Sequence, residues 1–292
     1  MDDNAAKQDE FSFESDEETD MHSGSGNHAE ASQNEETKAD AMDEKEFMQS
    51  VRKHLRRLIA YAQSADVCLQ QEAAELLANE AVQPARQRLI VQHGGLELLL
   101  PLTESTDNEV RRLAAHALAN LSVDTENQIT LAREGGIEMV LSLLRSRAET
   151  NATLRQAAKA LANLAVNPEN KTLIAEKGGI PPLVRAFRES EEAVQVEAAA
   201  ALANLAVDDN NERVIGATNI FSNLISALSS PNDDLAQQAG RALRNLSVDP
   251  ANKAIMRGAG AEDALLDAID IITCDVLRAQ CERVLANLQH HK

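Results

Sequence analysis

The sequence predicts an all-α solenoid, with short helices grouped in triplets and stacked along one axis behind a disordered acidic tail. Three observations carry that expectation. The pattern A-x-x-L-x-N-(L/E)-(A/S)-V recurs, with small departures, around Asn79, Asn120, Asn163, Asn204, Asn245 and Asn287, at intervals of 41, 43, 41, 41 and 42 residues. Aromatic residues make up 2% of the chain, with no Trp, one Tyr and five Phe, so a core has to be built from Leu, Ala, Val and Ile, the vocabulary of packed helices. The net charge of −19 is uneven: residues 1–46 hold 16 acidic and 3 basic side chains, and the rest of the chain holds 31 and 25.

These bounds remove several function classes. Non-specific nucleic-acid affinity comes mostly from clustered Lys and Arg neutralising phosphates, so nucleic acid is not an expected partner of so acidic a chain. No run approaches 18 apolar residues, and the opening MDDNAAKQDE has neither a basic region nor an apolar one. Neither a membrane span nor a secretory signal is expected. Cys68, Cys274 and Cys281 are odd in number and lack CxxC spacing, as in a reduced protein of the cytoplasm or nucleus.

Residues 1–46 come first. EFSFESDEETD and SGSGNHAEASQNEETKAD carry too few apolar side chains to offset the entropy of ordering them, so this segment is expected to be disordered. Ser15 precedes Asp16, Glu17 and Glu18 and resembles an acceptor for an acidophilic kinase. The segment is either a solvated tail or a modified docking one.

From Phe47 the apolar spacing becomes helical, and FMQSVRKHLRRLIAYAQ reads as an amphipathic helix. Each later unit divides into three. Asp124, Asn167, Asp208 and Asp249 are N-cap acceptors, two of them followed by a proline at the first helical position. A short helix follows (NQITLARE, NKTLIAEK, NERVIGAT, NKAIMRGA) and stops fifteen residues after the repeat asparagine, at Gly94, Gly135, Gly178, Asn219 and Gly260. Asn219 replaces glycine at this place, whereas the next place admits Ile220 and Ala261, so the left-handed turn is assigned to the first of the pair. A second helix of about ten residues (IEMVLSLLRS, IPPLVRAFRE, FSNLISALSS) holds Pro181 and Pro182 in its first turn. A polar break, ESTDN or SPNDD, then leads to a third helix of 12 to 14 residues that bears the asparagine. No pair of these helices buries its apolar side alone, so the units must stack. Six are expected, over 47–83, 84–124, 125–167, 168–208, 209–249 and 250–292, the first without the short leading helix and the end units without obvious charged caps.

A 41- to 43-residue unit with a GGI-PPLV-type second helix and an ALANLAV third helix resembles the armadillo repeat, over residues 47–292. That resemblance implies a right-handed superhelix whose third helices line a concave groove for extended peptides. It also implies that the repeat asparagines grip the peptide backbone: Asn120, Asn163, Asn204 and Asn245, with Asn79 and Asn287 at the ends. The importin-α branch carries Trp four residues before the asparagine, where this chain has Glu75, His116, Lys159, Ala200, Arg241 and Arg283. The resemblance is therefore to generic, β-catenin-like repeats, and a nuclear-import adaptor is the least favoured reading.

The residues support a groove chemistry of their own. Positions four and eight before the asparagine share its helix face, which gives Arg112, His116 and Asn120; Arg155, Lys159 and Asn163; Val196, Ala200 and Asn204; Gln237, Arg241 and Asn245. A carboxamide both donates to and accepts from a peptide unit, and a cationic stripe favours acidic or phosphorylated segments. A structural alternative stands beside this, with asparagine bonded to the neighbouring unit and the cations forming a solvated face. Arg244 replaces the alanine found at Ala78, Ala119, Ala162, Ala203 and Ala286 and reads as drift. Residues 9–20 either compete for the groove from within the molecule or belong to a solubilising tail that never docks.

A search for catalysis finds no GxSxG, HExxH, GxxxxGK(S/T) or strand-bound GxGxxG. Cys274 and Cys281, seven apart, read as core and not as metal ligands. No cofactor, metal or enzymatic activity is expected. The expected function is a protein-binding scaffold or adaptor for acidic or phosphorylated extended segments, and the alternative is a structural or oligomerisation role through outer faces and end repeats.

Overall fold

The computed structural model describes residues 56–290; the acidic tail, and with it any contact between residues 9–20 and the groove, lies outside them. Helix α1 is seen over 56–62 and is followed by α2 (Val67–Glu80). Five triplets then follow: α3 (Pro84–Gln92), α4 (Gly95–Thr103) and α5 (Asn108–Leu121); α6 (Thr125–Arg133), α7 (Gly136–Arg145) and α8 (Asn151–Leu164); α9 (Pro168–Glu176), α10 (Ile180–Glu189) and α11 (Glu192–Leu205); α12 (Asp209–Gly216), α13 (Phe221–Ala227) and α14 (Asp233–Leu246); α15 (Pro250–Gly258), α16 (Ala261–Ile271) and α17 (Asp275–Gln289). The third helices α2, α5, α8, α11, α14 and α17 pack in one continuous row, and the first helices α3, α6, α9, α12 and α15 in another.

Local chemistry sets each corner. The side chains of Asp124, Asn167, Asp208 and Asp249 each accept two backbone N–H groups at the start of a first helix. Positive φ falls at Gly94, Gly135, Gly178, Asn219 and Gly260, the first place of each pair, as the substitution by asparagine predicts. The second place is governed by space. A Cβ on Gly179 would lie 2.8 Å from the Ile174 carbonyl oxygen, because the second helix starts hard against the end of the first. Length variation is confined to the stretch between this corner and the next asparagine, so the extra residues in the third and last units enlarge or shift the break and leave the corner untouched.

Alanine does the packing. In α8, Ala157, Ala158, Ala160, Leu161, Ala162 and Leu164 are buried, and the same pattern recurs in α5 and α11, which lets neighbouring third helices approach closely. Two differences from the sequence expectation have plain causes. Helix α13 has 7 residues, not about ten, because Leu228, Ser229 and Ser230 donate to carbonyls three residues back and tighten the last turn. The end unit does carry a charged cap: where the third helices bury Ala74, Ala115, Ala158, Ala199 and Gly240 against the next unit, α17 exposes Glu282.

A second row of asparagines, on the first helices α9, α12 and α15, joins the units. Asn170 Nδ2 donates to Gln128 O (3.0 Å) and Leu164 O (3.1 Å), Asn211 Nδ2 to Lys171 O (3.1 Å), and Asn252 Nδ2 to Glu212 O (3.1 Å). Replacing Asn170 with Ala leaves two carbonyls without that donor and should cost about 1–3 kcal/mol, read as a fall in Tm by circular dichroism. Glu212 is buried, its Oε1 accepts from Asp249 N at 2.5 Å, and burial pushes its carboxyl above the ordinary range. Its ionised form opposes folding, so stability falls as pH climbs from the ordinary carboxylate value through the raised one. Glu212→Gln should therefore raise Tm more at neutral pH than in mild acid, and an equal gain at both would refute this origin.

Candidate functional site

The candidate site is the exposed side of the third-helix row, and the repeat asparagines are its rungs. Asn163 Nδ2 donates to Ala119 O (3.0 Å) and Ser122 Oγ (3.2 Å), Asn204 Nδ2 to Ala162 O (2.7 Å), and Asn245 Nδ2 to Ala203 O (2.8 Å). Each acceptor is a carbonyl in the last turn of the preceding third helix, one of the groups that a helix end leaves without an internal partner. The structural alternative for these residues is thus realised. It does not exclude the groove role, since the side chains stay partly exposed and the Asn204 and Asn245 amides keep a second hydrogen, whereas Asn163 commits both hydrogens to the preceding unit and keeps its Oδ1 as an acceptor. Asn120 differs, because its Nδ2 is buried without a partner among the described residues. Asn287 donates to Ser247 Oγ (2.9 Å).

The cations divide into two sets. Arg112 forms a two-pronged pair with Glu109 on its own helix, at 2.5 and 2.7 Å, and Arg155 approaches Glu197 of α11 at 3.8 Å. Much of the basic stripe on α5 and α8 is therefore answered from within the protein. Arg241, on α14, is partly buried and donates through Nη2 to Asn204 Oδ1. Burial, and then the neighbouring Arg244 guanidinium, weaken the hold of Arg241 on its proton. Val196 and Ala200 leave a small apolar window on α11 between the two sets.

Sequence reasoning missed Glu197. It lies seven residues, two helical turns, before Asn204 and so on the same face, which was the available signal. Burial raises its carboxyl, against the pull of Lys159 and Arg155. The equivalent places hold Gln156, Gln238 and Gln280, whose Oε1 atoms are buried without a partner among the described residues. The first-helix asparagines were missed too, although four of the helical segments begin with that residue.

With this geometry in hand, the comparisons decide the family. The sequence model of the armadillo/β-catenin-like repeat matches residues 84–123 and 167–207. The crystal structure of an engineered protein is 33% identical, with a TM-score of 0.74 over 82% of this chain and 96% of that one. The chain is an armadillo-repeat protein. A designed armadillo repeat protein, 24% identical, gives a TM-score of 0.72 over 80% of this chain and 98% of its own. Another, in complex with the peptide (KR)4, is 23% identical with a TM-score of 0.71 over the same shares. No curated protein matches the chain. The armadillo fold is a protein-binding scaffold, and no described helix of this armadillo protein is long and apolar enough to cross a membrane.

His116 sits half-buried between Arg112 and Lys159. Burial first, then those two cations, lower its pKa below the ordinary 6.5. Removing a neighbouring positive charge should therefore raise it. In an NMR titration the His116 imidazole should titrate below an unperturbed histidine and move up in Arg112→Ala; no movement would mean that Arg112 does not act on it.

Proposed function

We propose that this armadillo protein is a non-catalytic adaptor that holds extended segments of partner proteins, acidic or phosphorylated, along α5, α8, α11 and α14. The observation that carries this reading is the row of carboxamides at Asn163, Asn204 and Asn245, each oriented by bonding of its Nδ2 to the preceding unit and partly exposed. Packed helices lie about 8–10 Å apart and an extended peptide advances about 3.3 Å per residue, so one rung meets a ligand about every three residues. Such holding is indifferent to sequence. Charge supplies the choice: Lys159 and Arg241, the stripe cations with no carboxylate within ion-pair distance among the described residues, favour anions and would repel a peptide such as the (KR)4 held by the designed protein. Three cysteines without a disulfide favour a reducing compartment, cytoplasm or nucleus.

One observation favours the alternative, attachment through an outer surface. Val82, Val123, Val166, Val207 and Val248, at the corner after each third helix, are 55–63% exposed and form a periodic apolar edge.

The test compares partners captured by the native protein and by an Asn163→Ala/Asn204→Ala variant, with folding checked by circular dichroism. Loss of two rungs should weaken an acidic extended peptide by about 2 kcal/mol, about thirtyfold. Asn170→Ala, which disturbs the other asparagine row, should destabilise the protein without that loss. Identical partner lists would move the function to the outer surface.

A further inference from the structure

We propose that Arg241 and Arg244 on α14, with Arg283 one unit further on α17, form a phosphate site in the groove that takes a phosphoserine or phosphothreonine of an extended segment. The inference rests on the groove reading and says which part of the groove discriminates.

The first argument is charge balance. Arg112 has Glu109, Arg155 has Glu197, and Arg111 has Glu149 at 2.7 Å. Among the described residues, no carboxylate lies within ion-pair distance of Arg241, Arg244 or Arg283. Both charges of the α14 pair are therefore unanswered, and one of them is partly withdrawn from water, where an uncompensated cation is costly. An incoming anion relieves both.

The second argument is position. Arg241 and Arg244 are three residues apart, neighbours on one helix face. Arg241 donates to Asn204 Oδ1, and Arg244 reaches Asn245 Oδ1 through Nε and Nη2, both at 3.4 Å. The pair thus stands on two adjacent rungs, where a ligand backbone would run. Arg244 takes a place whose carbonyl, one unit earlier, receives the next rung: Ala203 O accepts from Asn245 Nδ2 at 2.8 Å. Here the next rung, Asn287, donates to Ser247 Oγ (2.9 Å), which itself donates to Arg244 O (2.8 Å), and Arg283 is one turn before Asn287 on α17. Arg244 is therefore no drift; it adds a cation where the other third helices have alanine.

The third argument is the ligand. Guanidinium groups bind phosphate oxygens in bidentate fashion, and a dianion matches two or three cations that lack carboxylate partners, whereas a single carboxylate leaves positive charge over.

The test uses the full chain and three pools of twelve-residue peptides, random except for a fixed central phosphoserine, serine or glutamate. The phosphoserine pool should be retained about tenfold over the serine pool, the factor that about 1.4 kcal/mol gives. Arg244→Ala gives α14 the residue of its neighbours and so spares the fold; it and Arg283→Ala should each cut that preference while leaving the serine pool unchanged. Asn163→Ala should weaken all pools alike. Equal retention of the three pools overturns the phosphate site but not the groove. A phosphoserine preference that survives Arg244→Ala and Arg283→Ala but falls in Arg112→Ala or Lys159→Ala places it elsewhere and also overturns the site. Retention of phosphatidylcholine vesicles carrying phosphatidylinositol phosphates, without peptide preference, replaces it with a membrane function. No retention of any pool overturns both readings.

Discussion

The stack depends on one recurring interaction, a carboxamide of one unit donating to a helix carbonyl of the unit before. A triplet of short helices cannot bury its own apolar side, so its stability is a sum over contacts with neighbours. Apolar packing alone would let units slide or rotate, because Leu and Ala surfaces are weakly directional. Asn204 with Asn170, and Asn245 with Asn211, fix the two central interfaces at two separated points each, while Asn163 and Asn252 each tie the interface next to these at one. Two points set the angle between units. The third-helix row also satisfies carbonyls at the C-terminal ends of the third helices, where the helix has no partner of its own to offer.

This stitching also bears on recognition. A free asparagine on a helix surface samples several rotamers, and a ligand must select one. Here each amide nitrogen is already committed to the preceding unit, so whatever hydrogen-bonding capacity the carboxamide retains is presented in a fixed direction, and part of the ordering cost of binding is met by folding. The structural and the functional use of the rung are two consequences of one geometry.

What was legible in the sequence was whatever repeats at short range. The cap, the left-handed corner and the asparagine each lie within a few residues of the elements they define, so Asp124, Asn219 and Asn163 could be placed from local rules. The fold class followed from their spacing. Charge pairing was legible only where the partner is local, as Glu109 is for Arg112; other partners stand about one repeat away and obey no pattern, as Arg155 meets Glu197 and Arg111 meets Glu149. A stripe that reads as basic in the sequence is therefore largely neutral on α5 and α8. The length of α13 was hidden for a similar reason, since its serines permit helix as readily as the tighter turn they adopt.

The rungs are not equivalent, and this decides where selectivity resides. Asn163 has its Nδ2 hydrogens on the preceding unit and, among the described residues, no donor on its Oδ1, so it can accept from the N–H of any peptide unit. Asn204 is engaged at both ends, by Ala162 O and by the Arg241 guanidinium. A ligand reaching Asn204 must either displace Arg241 from the carboxamide or bond to Arg241 itself. Displacement by a neutral backbone exchanges one hydrogen bond for another and leaves a partly buried cation without an acceptor, which is unfavourable. An anionic side chain avoids that penalty, because it takes the guanidinium and frees the carboxamide for the backbone at the same time. Sequence-blind holding at Asn163 and selection at Asn204 then follow from the presence of one arginine, four residues before the next rung.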